Sequence, residues 1–264
     1  MSTFATDSDA VHARQQASEE RLVFSRLEER LSPLLSVIAG MVDLTGFFTL
    51  GNVFTAHVTG NLVVVAALAV RGGSVNPAQV IAIPVFMLAL AAVWLVARAL
   101  DRRRYGLTRP LLLIQFLLLA AVLIFSVITK PSVSPHGLTA GIAAMIAVSA
   151  MATQYALFRL AMPRTVSTAV MTGNLTNTVL SLMDALSPGH ELLPVDSRRL
   201  RRSLYLLVGF LVGCVVAAAA ISVMGDWVWS LPVALAALAV VFATLWSITG
   251  NIPRDLARNG SKSQ

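Results

Sequence analysis

The chain has 264 residues, 56% of them apolar and 12% charged, with a mean hydropathy of +0.76. Soluble globular domains carry about 25% charged residues, so that class is excluded and an integral membrane protein is indicated. The net charge of +7 does not point to nucleic acid, because the arginines flank apolar stretches as topology signals do. The single cysteine, Cys214, excludes an intrachain disulfide, CxxC redox chemistry and a cysteine-based zinc site.

Residues 1–33 read as a cytoplasmic segment, helical from Ser18 to Leu31 where Leu22, Leu27 and Leu31 fall near helical spacing. It is rich in acidic residues and unlike a secretory signal, so the spans themselves are expected to direct insertion. A span of the bilayer needs about 20 apolar residues, and six stretches meet that need: 34–54, 78–99, 110–129, 138–160, 203–224 and 231–249. Asn76–Pro77, Thr108 to Pro110 and Ser230 to Pro232 supply start signals, with proline in the first turn. Residues 251–264 form a cytoplasmic tail.

Two further segments, 58–70 and 171–186, begin inside a phrase that occurs twice, VFTAHVTGNL from Val53 and VSTAVMTGNL from Val166, identical at seven of ten positions. Thirteen residues of helix rise about 20 Å, short of the roughly 30 Å hydrocarbon core. The second segment is longer but carries Thr172, Asn174, Thr176, Asn177, Thr178, Ser181 and Asp184. Charge decides their path. Arginine clusters at 21–30, 98–109, 159–164, 198–202 and 254–258 all belong on the cytoplasmic side by the positive-inside rule. They reach it together only if both short segments enter and leave by the same face.

The expected fold is therefore an all-α polytopic membrane protein with six transmembrane helices plus two re-entrant half-helices. These form two inverted-topology repeats, residues 34–130 and 131–250, with both termini cytoplasmic. Transporters and channels use this plan to build a midplane site between symmetry-related halves. Thr59, Gly60, Asn61, Thr172, Gly173 and Asn174 are the substrate-binding candidates. They sit where extended chain turns into helix, and two positive helix ends facing one cavity suit a small anionic or polar solute. The opposing interpretation is that these residues only let re-entrant backbone pack within protein.

Asp43 is the only acidic residue inside a full span and costs about 2.5 to 3.5 kcal/mol there on insertion scales, so a proton-coupling role is the default. Its counterpart 113 residues on is Ala156, and that of His57, the second proton-coupling candidate, is Val170. A protonated Asp43 bonded to Thr45 or to a neighbouring helix, and a capping His57, are the plainer alternatives. Gln154 and Asn177 are candidate cavity residues, together with Tyr155 and Asp184, although Gln154 serves equally as interhelical glue. Gly209 with Gly213, and Gly137 with Gly141, are GxxxG pairs that favour close helix approach inside a monomer or in a homo-oligomer. Trp227, Trp229, Tyr105 and Tyr205 read as interfacial anchors, and Arg198 to Arg202 can touch anionic lipid.

The run from Gly40 to Asn61, GMVDLTGFFTLGNVFTAHVTGN, with its second copy RTVSTAVMTGNLTN from Arg164 to Asn177, resembles the YoaK family of bacterial inner-membrane proteins over about residues 35–250. The shared features are a Gly-x-x-Asp in the first span, Gly40 and Asp43 here, and a His-x-Thr-Gly-Asn phrase, here His57 to Asn61. Where that family has Gln-Asn, this chain reads Gln154–Tyr155. The resemblance implies the bacterial cytoplasmic membrane and no particular activity.

No Walker A, HExxH or GxSxG phrase is present, and no cofactor, metal or enzymatic activity is expected. The leading expectation is a secondary transporter or channel whose partners are a small solute and the lipid bilayer. A non-transporting membrane scaffold or sensor is the alternative, and an intramembrane enzyme using Asp43 and His57 comes third.

Overall fold

A computed structural model describes residues 27, 29–72, 75–101, 106–162, 171–186 and 197–260. Among these the regular elements are helices: α1 (Glu29–Thr49), α2 (Val58–Arg71), α3 (Pro77–Asp101), α4 (Thr108–Thr129), α5 (Leu138–Leu160), α6 (Met171–Leu186), α7 (Ser197–Met224) and α8 (Ser230–Gly260). Short 3-10 turns occupy Pro131–Val133 and Gly225–Trp229. Five stretches are long and apolar enough to cross a membrane: Glu29–Thr49, Pro77–Leu100, Thr108–Thr129, Leu138–Leu160 and Leu200–Trp246. The last holds 47 residues, covers parts of both α7 and α8, and is interrupted at Gly225, whose φ is +54°.

Local chemistry sets the helix ends. The first span stops at Thr49 rather than 54, because Gly51 and Asn52 both take left-handed backbone, φ +74° and +60°. Glycine and asparagine accept that region at least cost. The Asn52 N–H donates back to the Phe47 carbonyl at 3.0 Å, closing the turn. Asn76 and Gln79 then fasten it, donating their amides to the carbonyls of Gly51 (2.9 Å) and Asn52 (3.0 Å). Asn76 also caps α3, its Oδ1 accepting from the Ala78 N–H at 3.0 Å ahead of Pro77 at the first helical position. The expected cap at Thr108 is absent: α4 starts on that residue, after Leu107, with no side-chain bond. The helix at the carboxyl end runs to Gly260, well past the expected 249.

Two helices are central. About two thirds or more of the apolar stretch is buried in α1 (67%) and α5 (72%), against 17% in α3 and 33% in α4. The buried face of α5 is largely alanine, Ala140, Ala143, Ala144, Ala147, Ala150 and Ala152, which lets α3 and α4 pack closely on either side. α8 packs on α4, α6 on α7 and α2 on α3. Leu88, Leu95, Leu117, Ile128, Leu211 and Val215 stay exposed on the outer helices, as lipid-facing positions do.

α1 and α7 meet along a glycine seam. A Cβ at Gly40 would fall on the Phe210 carbonyl, and one at Gly213 on the Val37 carbonyl, so at both places the backbones touch. Gly209 faces Pro33, and the Ser36 hydroxyl donates to the Leu206 carbonyl at 2.5 Å. The nearly constant offset between partners makes the helices parallel. The Gly209–Gly213 pair therefore serves packing within the chain. The second pair does not make such a seam: Gly137 lies on its own turn at Ser134, and a Cβ added at Gly141 would come no closer than 3.9 Å to the Ala78 Cβ, an ordinary contact. Trp229 also departs from its expected interfacial role. It is fully buried, whereas Trp227 is 59% exposed.

Helix ends collect in two groups. At one end Glu29 pairs with Arg202, the Arg30 guanidinium lies 5.7 Å over the Trp246 ring, and Arg109 donates to the Thr244 carbonyl at 3.5 Å. This joins the starts of α1, α4 and α7 to the later part of α8. At the other end Gly51 lies against Asn76 and Pro135, and the Asp226 carboxylate accepts from the Ser132 hydroxyl at 2.7 Å. This joins the end of α1, the start of α3, the α4–α5 turn and the α7–α8 turn. The other arginines of the expected cytoplasmic clusters at 21, 26, 102–104 and 164 lie outside the described residues.

Candidate functional site

Asp43 sits six residues before the end of α1, about 9 Å along the helix axis from it. Beyond the Gly51–Asn52 reversal the chain runs back alongside α1, and Gly46 makes this possible. A Cβ there would meet the Thr55 methyl at 2.8 Å and the Val53 carbonyl at 3.3 Å. Gly40 and Gly46 thus bracket Asp43 at one-turn spacing, the first admitting α7 and the second admitting the returning segment.

The returning segment closes on the carboxylate. Asp43 Oδ1 accepts from the backbone N–H groups of Thr55 (2.8 Å), Ala56 (2.9 Å) and His57 (3.4 Å). Its Oδ2 lies 2.7 Å from His57 Nδ1, a hydrogen bond in either charge state and an ion pair when the imidazole is protonated. Successive N–H groups converging on one oxygen form a concave anion-binding nest. The carboxylate also lies at the positive end of α2, whose N-cap is His57. Asp43 does not bond Thr45, and the charge that the nest and helix end attract is supplied by the protein itself.

Asp43 is 5% exposed, while 31% of the His57 side chain is uncovered. The imidazole meets the edge of Phe210 on α7 at 5.1 Å between ring centroids. On the far side of the segment, Tyr155 of α5 donates its hydroxyl to the Ala56 carbonyl, and its ring contacts Phe86 of α3. Elements from both halves therefore hold three successive residues, Thr55, Ala56 and His57.

The TGN phrase falls within the first turn of α2 rather than before it. Asn61 is fully buried and forms a two-way bond with one residue: its Oδ1 accepts from the Phe54 N–H and its Nδ2 donates to the Phe54 carbonyl, both at 2.8 Å. Its amide caps the extended segment instead of the helix. Gly60 leaves room for the Phe54 ring, which a Cβ would meet at 3.1 Å. Thr59 is exposed.

The second copy repeats the burial order: Thr172 exposed, Gly173 half-buried, Asn174 buried at 1%. Its first half, 166–170, lies outside the described residues. Asn177 is half-buried, and the side chain of Asp184 is not described. Gln154 is fully buried, donating to the Leu35 carbonyl at 2.9 Å and accepting from Gln115 Nε2 at 2.7 Å. It thus ties α1, α4 and α5 together. Gln115 was missed in the sequence, although a lone amide in an otherwise apolar span is the signal that would have found it.

A family profile described as "Protein of unknown function (DUF1275)" matches residues 31–244, and the chain belongs to that family. Membership is compatible with the YoaK resemblance. No curated protein and no solved structure matches.

Proposed function

We propose that this chain is a secondary transporter or channel of the bacterial cytoplasmic membrane for a small anionic or polar solute, coupled to protons through Asp43 and His57. One observation carries this assignment: a buried carboxylate paired with a partly uncovered imidazole in the interior of an apolar helical bundle. Such a pair is costly in a membrane and marks an ion or proton path by default. The uncovered part of His57 calls for an opening that water or solute reaches, since lipid is a poor neighbour for an imidazole.

The frame is six crossings and two re-entrant half-helices in inverted repeats, the second re-entrant segment containing α6. Support comes from the grouping of helix ends: α1 finishes and α3 starts in one group, so the chain through α2 returns to the face it left. Further support comes from helix partners. Exchanging α1 with α5, α2 with α6, α3 with α7 and α4 with α8 turns the α1–α7 pair into α5–α3 and the α2–α3 pair into α6–α7, and all four pairs pack. The two inner helices, α1 and α5, also exchange. In this frame the solute lies between the starts of α2 and α6, where Thr59 and Thr172 are exposed.

Asp43 sets the coupling. While ionised it offsets the positive end of α2, and when protonated it leaves that end free to attract an anion, so proton and anion travel together. The test is uptake into proteoliposomes with an internal pH dye, over a panel of small organic anions and an imposed inward proton gradient. Wild type is expected to show solute-dependent proton entry. Asp43→Asn is expected to lose gradient-driven accumulation while keeping solute exchange. Accumulation by Asp43→Asn at the wild-type rate would end the coupling role.

A further inference from the structure

Tyr155 and Asp43 act on the same peptide group from opposite sides. The Ala56 carbonyl accepts from the Tyr155 hydroxyl, and the N–H of that same peptide, belonging to His57, points to Asp43 Oδ1. In a trans peptide the carbonyl and N–H point in opposite directions, so one planar unit links a phenol on α5 to a carboxylate on α1. Donation to the carbonyl polarises the amide and strengthens its N–H as a donor. Among the described residues the titratable groups around Asp43 are His57 on the segment, Tyr155 on α5 and Cys214 on α7, the last with its thiol 3.5 Å from the Gly40 carbonyl. α7 otherwise presents the Phe210 ring edge to His57.

We propose that Asp43, His57 and Tyr155 form a proton-operated clamp on the extended segment Val53–His57, in which Tyr155 is a positioning residue that ties the second half of the chain to the protonation state of the first. The clamp deepens the proton-coupled assignment above and rests on it only for its use in transport. Ionised Asp43 accepts from three N–H groups and the imidazole, and bonds to a charged acceptor are roughly twice as strong as neutral ones. Protonation weakens the three backbone bonds together and leaves the segment held by Tyr155 and by the Asn61–Phe54 pair. The released segment exposes the start of α2 to solute.

Amide hydrogen exchange of the full-length protein in detergent micelles, followed by mass spectrometry from about pH 8 down to about pH 2.5, through the range in which carboxylates protonate, and corrected for intrinsic exchange, tests this without any solute. Peptides covering residues 53–58 are expected to lose about tenfold in protection at the acid end, roughly the change for 1.4 kcal/mol, while peptides from α4 hold theirs. Asp43→Asn should show the low, acid-like protection at every pH. Tyr155→Phe keeps the ring contact with Phe86 and removes only the hydroxyl, so it should move the loss of protection to higher pH. Protection of 53–58 that is flat with pH in wild type overturns the clamp. A Tyr155→Phe profile that overlays wild type overturns the positioning role. Failure here would leave the flux experiment standing, and failure of flux would leave this readout intact.

Discussion

The α1–α7 pair and the α3–α5 pair are both parallel helix pairs, yet they are built to different tolerances. Gly40 and Gly213 bring the first pair into backbone contact, while in the second a Cβ added at Gly141 would come no closer than 3.9 Å to Ala78, and Phe86 meets Tyr155 ring to ring. The chemistry is unequal in the same way. α1 carries Asp43 where α5 carries Ala156, the first copy of the repeated phrase has His57 where the second copy has Val170, and the Tyr155 position corresponds to Val42. Every polar member of the clamp therefore acts on one copy of the repeated phrase. A buried carboxylate needs donors held in fixed positions. The tighter seam lies on the helix that bears the charge.

The largest expected effect breaks that seam. Gly213→Val would force its side chain into the Val37 carbonyl, where backbone and not a flexible side chain must move. We expect a loss of about 3 kcal/mol or failure to fold, read as thermal unfolding in detergent. A variant that unfolds like wild type would show that α1 and α7 are not locked by their backbones.

An intermediate effect is expected at Asn61→Leu, which strands both backbone polar groups of the half-buried Phe54. Leaving such groups unpaired costs about 1 to 3 kcal/mol each, so stability should fall by about 2 kcal/mol before any solute is added. A folded protein of unchanged stability that has lost solute binding would instead assign the amide to the solute. The smallest effect is expected at Gly141→Ala on the looser pair. With no atom closer than 3.9 Å and a helix-propensity gain of up to about 1 kcal/mol, unfolding should be unchanged or slightly later.

The helices themselves were legible in the sequence because apolar length is a strong signal in a membrane protein. α2, α5 and α6 fall within a residue of their expected bounds. The end of α1 was misjudged because apolar periodicity continues through Leu50 to Phe54, whereas the left-handed Gly51 and Asn52 turn the chain back. Asp43 and His57 stood out as ionisable groups near apolar sequence, but their contact did not. It depends on Gly46 admitting the reversed segment, a tertiary fact that spacing does not encode. Asn61 was legible as special, and its partner was not, because an amide in a TGN phrase serves a helix cap, a solute or a folded-back peptide equally well.

The most direct test of the account is the sidedness of single cysteines at Arg71, Val133 and Gly106, in a Cys214→Ser background, probed with a membrane-impermeant thiol reagent in right-side-out and inverted vesicles. Under the proposed re-entrant path, in which the chain through α2 comes back to the face where α1 ends, Arg71 and Val133 should label from the outside and Gly106 only from the inside. If the Arg71 cysteine labels with Gly106 and against Val133, α2 crosses the membrane, and the clamp on a re-entrant segment, with the paired site between the halves, is wrong.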